Sequence, residues 1–142
     1  MRHFRRLILA FGFALALLVP AGAASAAPVE SIREEQVRLA INFCNGDTVV
    51  VTGILHTVQK VAADGSVSLR VQYHAKGTST RGDKYEVSLI RKFERDAPGN
   101  FTEVIRTSLI SQGSAPNQTI IIHSSFTTDG GFVFEAENFC KG

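Results

Sequence analysis

Only two cysteines occur in this chain, Cys44 and Cys140, and they are far apart, with no C-x-x-C pair. That spacing removes the common zinc motifs and the dithiol redox motif. Past the N-terminal segment there is no second apolar run near the roughly 20 residues that a membrane-spanning helix needs. No cysteine stands at a lipoprotein-type cleavage site. A basic excess is missing as well. The formal net charge is +2, and without Arg2, Arg5 and Arg6 it falls to about −1, too little for the electrostatic footprint of a nucleic-acid binder. Catalytic signatures are also absent: there is no G-x-S-x-G elbow, no H-E-x-x-H helix, no H-x-H pair with a following Glu, and no Gly-rich phosphate loop opening a helix. The sequence by itself assigns no reaction and no cofactor.

What is present begins with a leader. Residues 1–6 are arginine-rich, residues 7–19 are apolar, and Ala24-Ser25-Ala26 supplies the small residues of a cleavage site. This is the pattern of a secretory signal peptide over residues 1–26, in an Ala-rich form that looks bacterial. Its apolar stretch of about 13 residues is too short to span a bilayer. A secreted or extracytoplasmic protein is expected, with no membrane association after cleavage. About 116 residues would remain, enough for one domain with a real core. In an oxidising compartment Cys44 and Cys140 are expected to form a disulfide. Closing a loop of about 97 residues, it is worth roughly 4–5 kcal/mol in the chain-entropy account.

Residues 27–36 read as a polar N-terminal arm, in which Ser31-x-x-Glu34 could cap a helical turn. Residues 37–142 read as a single all-β domain. Val37, Leu39, Ile41 and Phe43 alternate with Arg38, Ala40 and Asn42; Val67, Leu69, Val71 and Tyr73 alternate with polar neighbours; Tyr85, Val87 and Leu89 repeat the pattern. Period two marks strands. Asn45-Gly46-Asp47, Asp64-Gly65, Pro98-Gly99-Asn100 and Asp129-Gly130-Gly131 punctuate them as turns. About seven strands and no long helix result. If they form a meander, the odd count puts both cysteines on one rim, so a closed or nearly closed antiparallel β-barrel is expected. A Greek-key β-sandwich is the alternative. The side chains of Leu69, Val71, Tyr73, Tyr85, Val87, Leu89, Phe132 and Phe134 would line the interior.

The candidate sites follow from this layout. The longest polar loop, residues 76–84, falls on the cysteine rim and offers Lys76, Thr78, Thr80, Arg81 and Asp83 as ligand contacts. It contains Arg81-Gly82-Asp83, a tripeptide that integrins read in some adhesion proteins. His56 and His74 flank the Asp64-Gly65 turn and would face each other across a three-residue loop, with His123 as a third metal ligand if its strand came near. Glu135 and Glu137 share one face of the last strand, as the wet side of an amphipathic strand does.

The stretch Asn42-Phe43-Cys44-Asn45-Gly46-Asp47, followed by residues 51–56 and ending at Cys140, resembles small exported bacterial proteins of unassigned function. Those show Asn-Pro-Cys-Thr-Gly-Glu at the motif. The resemblance implies a β-rich secreted domain and carries no activity. In architecture the chain is also similar to allene-oxide-cyclase and dirigent-type barrels, and folds alone do not fix function. Two functions are therefore expected to compete: a non-catalytic binding module for a protein or small apolar ligand, and a cyclase- or isomerase-like enzyme acting on a small apolar substrate, with Tyr73, Tyr85, His56 or Arg91 as its polar groups.

Overall fold

The computed structural model describes residues 29–142; the leader read over residues 1–26 lies outside them. Seven strands follow in order: β1 (Val29–Asn42), β2 (Asp47–Val61), β3 (Val67–Ser79), β4 (Lys84–Arg95), β5 (Phe101–Ser111), β6 (Asn117–Thr127) and β7 (Gly131–Lys141). They form one antiparallel sheet whose spatial order is the order of the sequence. Among the described residues there is no crossover, so the Greek-key order is not adopted. Each connection is a tight turn, and at five of the six a glycine (Gly46, Gly65, Gly82, Gly99 or Gly131) supplies a positive φ.

Two expectations are corrected at the N-terminus. Residues 29–36 are not a separate arm or a capped helical turn. They pair with Gly53 to Lys60 of β2 as the first half of β1. Their polarity reflects an edge strand that meets water on both faces: only Gln36, Ala40 and Asn42 of β1 are less than exposed. The barrel also stays open, because among the described residues no ladder joins β1 to β7. In a seven-strand meander these two strands run the same way, so closure would demand a parallel ladder inside an otherwise antiparallel sheet.

One rim is nevertheless drawn together. Cys44 and Cys140 form a disulfide with Cα atoms 5.7 Å apart, joining the β1–β2 turn to β7 across a separation of 96 residues. The expected pairing and its rim are as the strand parity required, and the bond fits an oxidising environment. No helix among the described residues is long and apolar enough to cross a membrane.

Cross-strand register decides which side chains share the concave face. From β2 to β5 it carries Val49, Val51, Leu55, Tyr73, Ala75, Tyr85, Val87 and Leu109, which are the buried core. Every one of these lies in the half of the sheet nearer the disulfide or at its middle. Two glycines allow the strong coiling there. A Cβ on Gly53 would stand 2.0 Å from the His74 carbonyl oxygen, and one on Gly77 would stand 2.1 Å from that of Val50. Backbone takes the space that a side chain would need.

Candidate functional site

The stapled rim is a polar knot built from the Asn-Phe-Cys-Asn-Gly-Asp segment. Asp47 is fully buried. Its carboxylate accepts from Tyr85 Oη at 2.8 Å and Asn45 Nδ2 at 3.1 Å, and from the Arg81 guanidinium. Arg81 Nη2 also donates to the Asn45 carbonyl at 2.8 Å. Buried Asn42 donates to the Pro116 carbonyl at 2.7 Å and accepts from the Cys44 amide at 3.0 Å. Gln118 accepts from the Phe43 amide at 3.2 Å and donates to Asn138 at 2.8 Å. Among the described residues, no buried side-chain polar atom lacks a partner. Burial pushes the Asp47 carboxyl up, but the hydrogen bonds from Tyr85, Arg81 and Asn45 and the charge of Arg81 outweigh it and hold the group below its ordinary 3.8. The Asn42 to Asp47 segment thus seals the rim.

This geometry redistributes the rim-loop candidates. The loop is shorter than the polar run suggests, because Lys76 and Thr78 belong to β3 and only residues 80–83 turn. Lys76 sits on the convex face, ion-paired with Glu86 at 3.1 Å. Arg81 is tied to Asp47, and the Asp83 amide donates to Ser79 Oγ at 3.1 Å. Thr80 is exposed, with its amide bonded to the Thr48 carbonyl. The Arg81-Gly82-Asp83 tripeptide is therefore an internal brace at its arginine.

The histidines do not gather. Val61 pairs with Val67, so the β2–β3 turn spans residues 62–66 rather than three residues. His56 then faces Gln72, and His74 faces Ile54. His123 stands on β6 opposite Glu135 and Val104, three strands beyond β3. His56 bonds Ser31 Oγ at 3.0 Å. No group of three or more His, Cys, Asp or Glu among the described residues is placed to share a metal. Glu135 and Glu137 are exposed on the convex side, opposite His123 and Ile121.

The other half of the concave face is different. Moving away from the disulfide, one row runs Arg91–Ile105–Ile122–Ala136 across β4 to β7, the next Phe93–Glu103–Ser124–Phe134, and the last Arg95–Phe101–Phe126–Phe132. Phe101 is the hub of the aromatic group, with ring centroids 5.6 Å from Phe93, 5.9 Å from Phe126 and 6.4 Å from Phe132. Glu103 sits among them. Arg91 Nε donates to its Oε1 at 2.5 Å and Ser124 Oγ to its Oε2 at 3.2 Å. Phe132 and Phe134 are expected interior positions and do point to the concave side, but they remain 61% and 58% exposed because no strand among the described residues pairs beyond β7. The result is an aromatic trough with a fixed polar spot on its floor.

Sequence reasoning placed the aromatic pair of β7 inside and missed the Arg91–Glu103–Ser124 group. The signal was available in principle: Arg91 falls between Leu89 and Phe93, and Glu103 between Phe101 and Ile105, at inward positions of their strands. It becomes legible only once the β4–β5 register is known. Of the polar groups weighed for catalysis, Tyr73 and Tyr85 are buried and hydrogen-bonded within the core, and His56 lies on the convex face. Arg91 alone reaches the trough.

No family model, curated protein or solved structure matches the chain. The reading of function rests on the trough itself.

Proposed function

We propose that the chain is an exported, non-catalytic binding module whose open trough takes one small apolar ligand. The observation that carries this reading is the row of phenylalanines left partly exposed on the concave face, above all Phe132 and Phe134. A sheet that only needed a core would cover such side chains, since each aromatic ring brings a large apolar surface. Ligand sites combine apolar walls with a few placed polar groups that orient the guest, and the Arg91–Glu103–Ser124 cluster is such a spot. In this reading the fold is a nearly closed barrel slotted between β1 and β7, and the leader over residues 1–26 delivers it to the oxidising compartment where its disulfide forms. The near-neutral mature chain takes neither nucleic acid nor membrane as partner. A cyclase- or isomerase-like reaction works by confinement, which needs walls on all sides. The open flank at β7 favours binding over that alternative.

The test is titration of the disulfide-bonded protein with the apolar dye 8-anilinonaphthalene-1-sulfonate, alongside Phe134→Asp. Saturable, blue-shifted emission from a cooperatively melting protein, lost in the variant, is expected. A wild-type protein without that response, or a variant that responds equally, overturns the reading.

A further inference from the structure

Among the described residues the free edge of β1 is the longer of the two open sheet edges: 14 residues, all but Gln36, Ala40 and Asn42 exposed. Open edges of this kind accept a further strand through main-chain hydrogen bonds. The charges along it specify which strand. β1 carries Glu30, Arg33, Glu34, Glu35 and Arg38, and among the described residues none of these enters an ion pair.

Two copies of one strand can pair antiparallel around a two-fold axis perpendicular to the sheet, which keeps inward residues opposite inward residues. Only registers in which the paired numbers sum to an even value satisfy this. Centring the axis on Glu34 sets Arg33 against Glu35 and Glu30 against Arg38, and symmetry doubles both pairs. The same register places exposed Val29 opposite exposed Leu39 on the convex face. Its one like-charge contact is Glu34 with itself. Centring on Ile32 sets Glu30 against Glu34, and centring on Arg33 or Glu35 sets that residue against its own copy; none of the three gains an opposite-charge pair in return. Centring on Gln36 gains only Glu34 against Arg38, and it draws in Asn42 beside the disulfide, where β7 stands close. The Glu34-centred register uses residues 29–39 and leaves that stapled end clear. The opposite edge lacks this property: full antiparallel overlap of two β7 strands sets Glu135 against Glu137 twice.

We infer that β1 is a self-recognition edge, through which two copies of this chain form a two-fold dimer with Arg33–Glu35 and Glu30–Arg38 pairs across the axis. The inference is independent of the trough and its ligand.

Sedimentation equilibrium of the disulfide-bonded protein tests it, with Arg33→Glu, Glu35→Arg and the double exchange as variants. Both positions are exposed, so folding is checked by far-UV circular dichroism and melting rather than assumed. Expected are a dimer whose dissociation constant rises with salt, at least about tenfold weakening in each single variant, and recovery in the double exchange. Arg106→Glu, an exposed convex-face change on β5, should leave association unaltered. A protein that stays monomeric up to about millimolar concentration, open-ended oligomers in place of a dimer, or a dimer indifferent to the exchanges each overturns the inference.

Discussion

Tyr85 donates its phenolic hydrogen to the Asp47 carboxylate across 2.8 Å, joining two residues 38 positions apart at the bottom of the core. Both side chains are essentially without solvent contact. The pair connects the first turn to the middle of the sheet and anchors the stapled rim from within.

Because the folded Asp47 carboxyl lies below its ordinary value, its contribution to stability is present above that value and is lost as pH falls through the lower, folded one. Asp47→Asn should lower the urea midpoint at neutral pH and flatten the acid limb of the stability profile. Urea titrations of both proteins from pH 7 down to about pH 2 check this.

Tyr73 moves the opposite way. Burial raises its phenol above the ordinary 10.0, while the nearby Arg38 charge opposes the shift only in part. Stability from this group is full below pH 10 and falls as pH rises toward the folded value. Its hydroxyl also donates to the Gln36 carbonyl at 2.9 Å. Tyr73→Phe should therefore cost about 0.5–1.5 kcal/mol at neutral pH and reduce the alkaline loss, as read by urea unfolding at pH 7 and pH 11.

Opening the staple should weaken the fold without erasing its ladders. Cys44→Ser with Cys140→Ser is expected to lose up to about 4–5 kcal/mol, with β-type circular dichroism retained, because each strand still pairs with its sequence neighbours. Denaturant unfolding with and without reductant separates this effect from the serine substitutions themselves.

Gly53→Ala should be destabilising by about 1–3 kcal/mol or more, since its methyl would meet the β3 backbone at 2.0 and 2.4 Å and the Ala75 methyl at 2.5 Å. Gly113→Ala meets nothing within 4 Å and should stay within about 0.5 kcal/mol of the parent. Paired thermal melts decide it.

The strands and turns were readable because alternation and Gly-containing turns are local properties. Asp64-Gly65 marks its hairpin, and Leu69, Val71 and Tyr73 face inward as their period implies. What local pattern could not show was which face of an edge strand is covered. In β1 the apolar residues Val37, Leu39 and Ile41 point outward, while Arg38, Ala40 and Asn42 face the core side. Arg38 lies over the Tyr73 ring at 5.4 Å, and Asn42 is buried in the rim network. Those environments are made by β3, β4 and the β5–β6 turn, all distant in sequence. The His56–His74 pairing failed for a smaller reason: two extra turn residues slid the register by two residues, so that His56 faces Gln72. The trough escaped notice because its defining polar pair, Arg91 and Glu103, sits on two strands whose alignment no single segment encodes.

The strictly sequential strand order also bears on how the molecule finds its shape. Each ladder requires only a turn of a few residues to be closed, so chain search proceeds through short excursions and the entropic toll of long loops is deferred. Assembly by successive hairpins implies faster folding than a crossed-over β topology of the same size would allow, with the joining of the Cys44 turn to Cys140 as the late, long-range event.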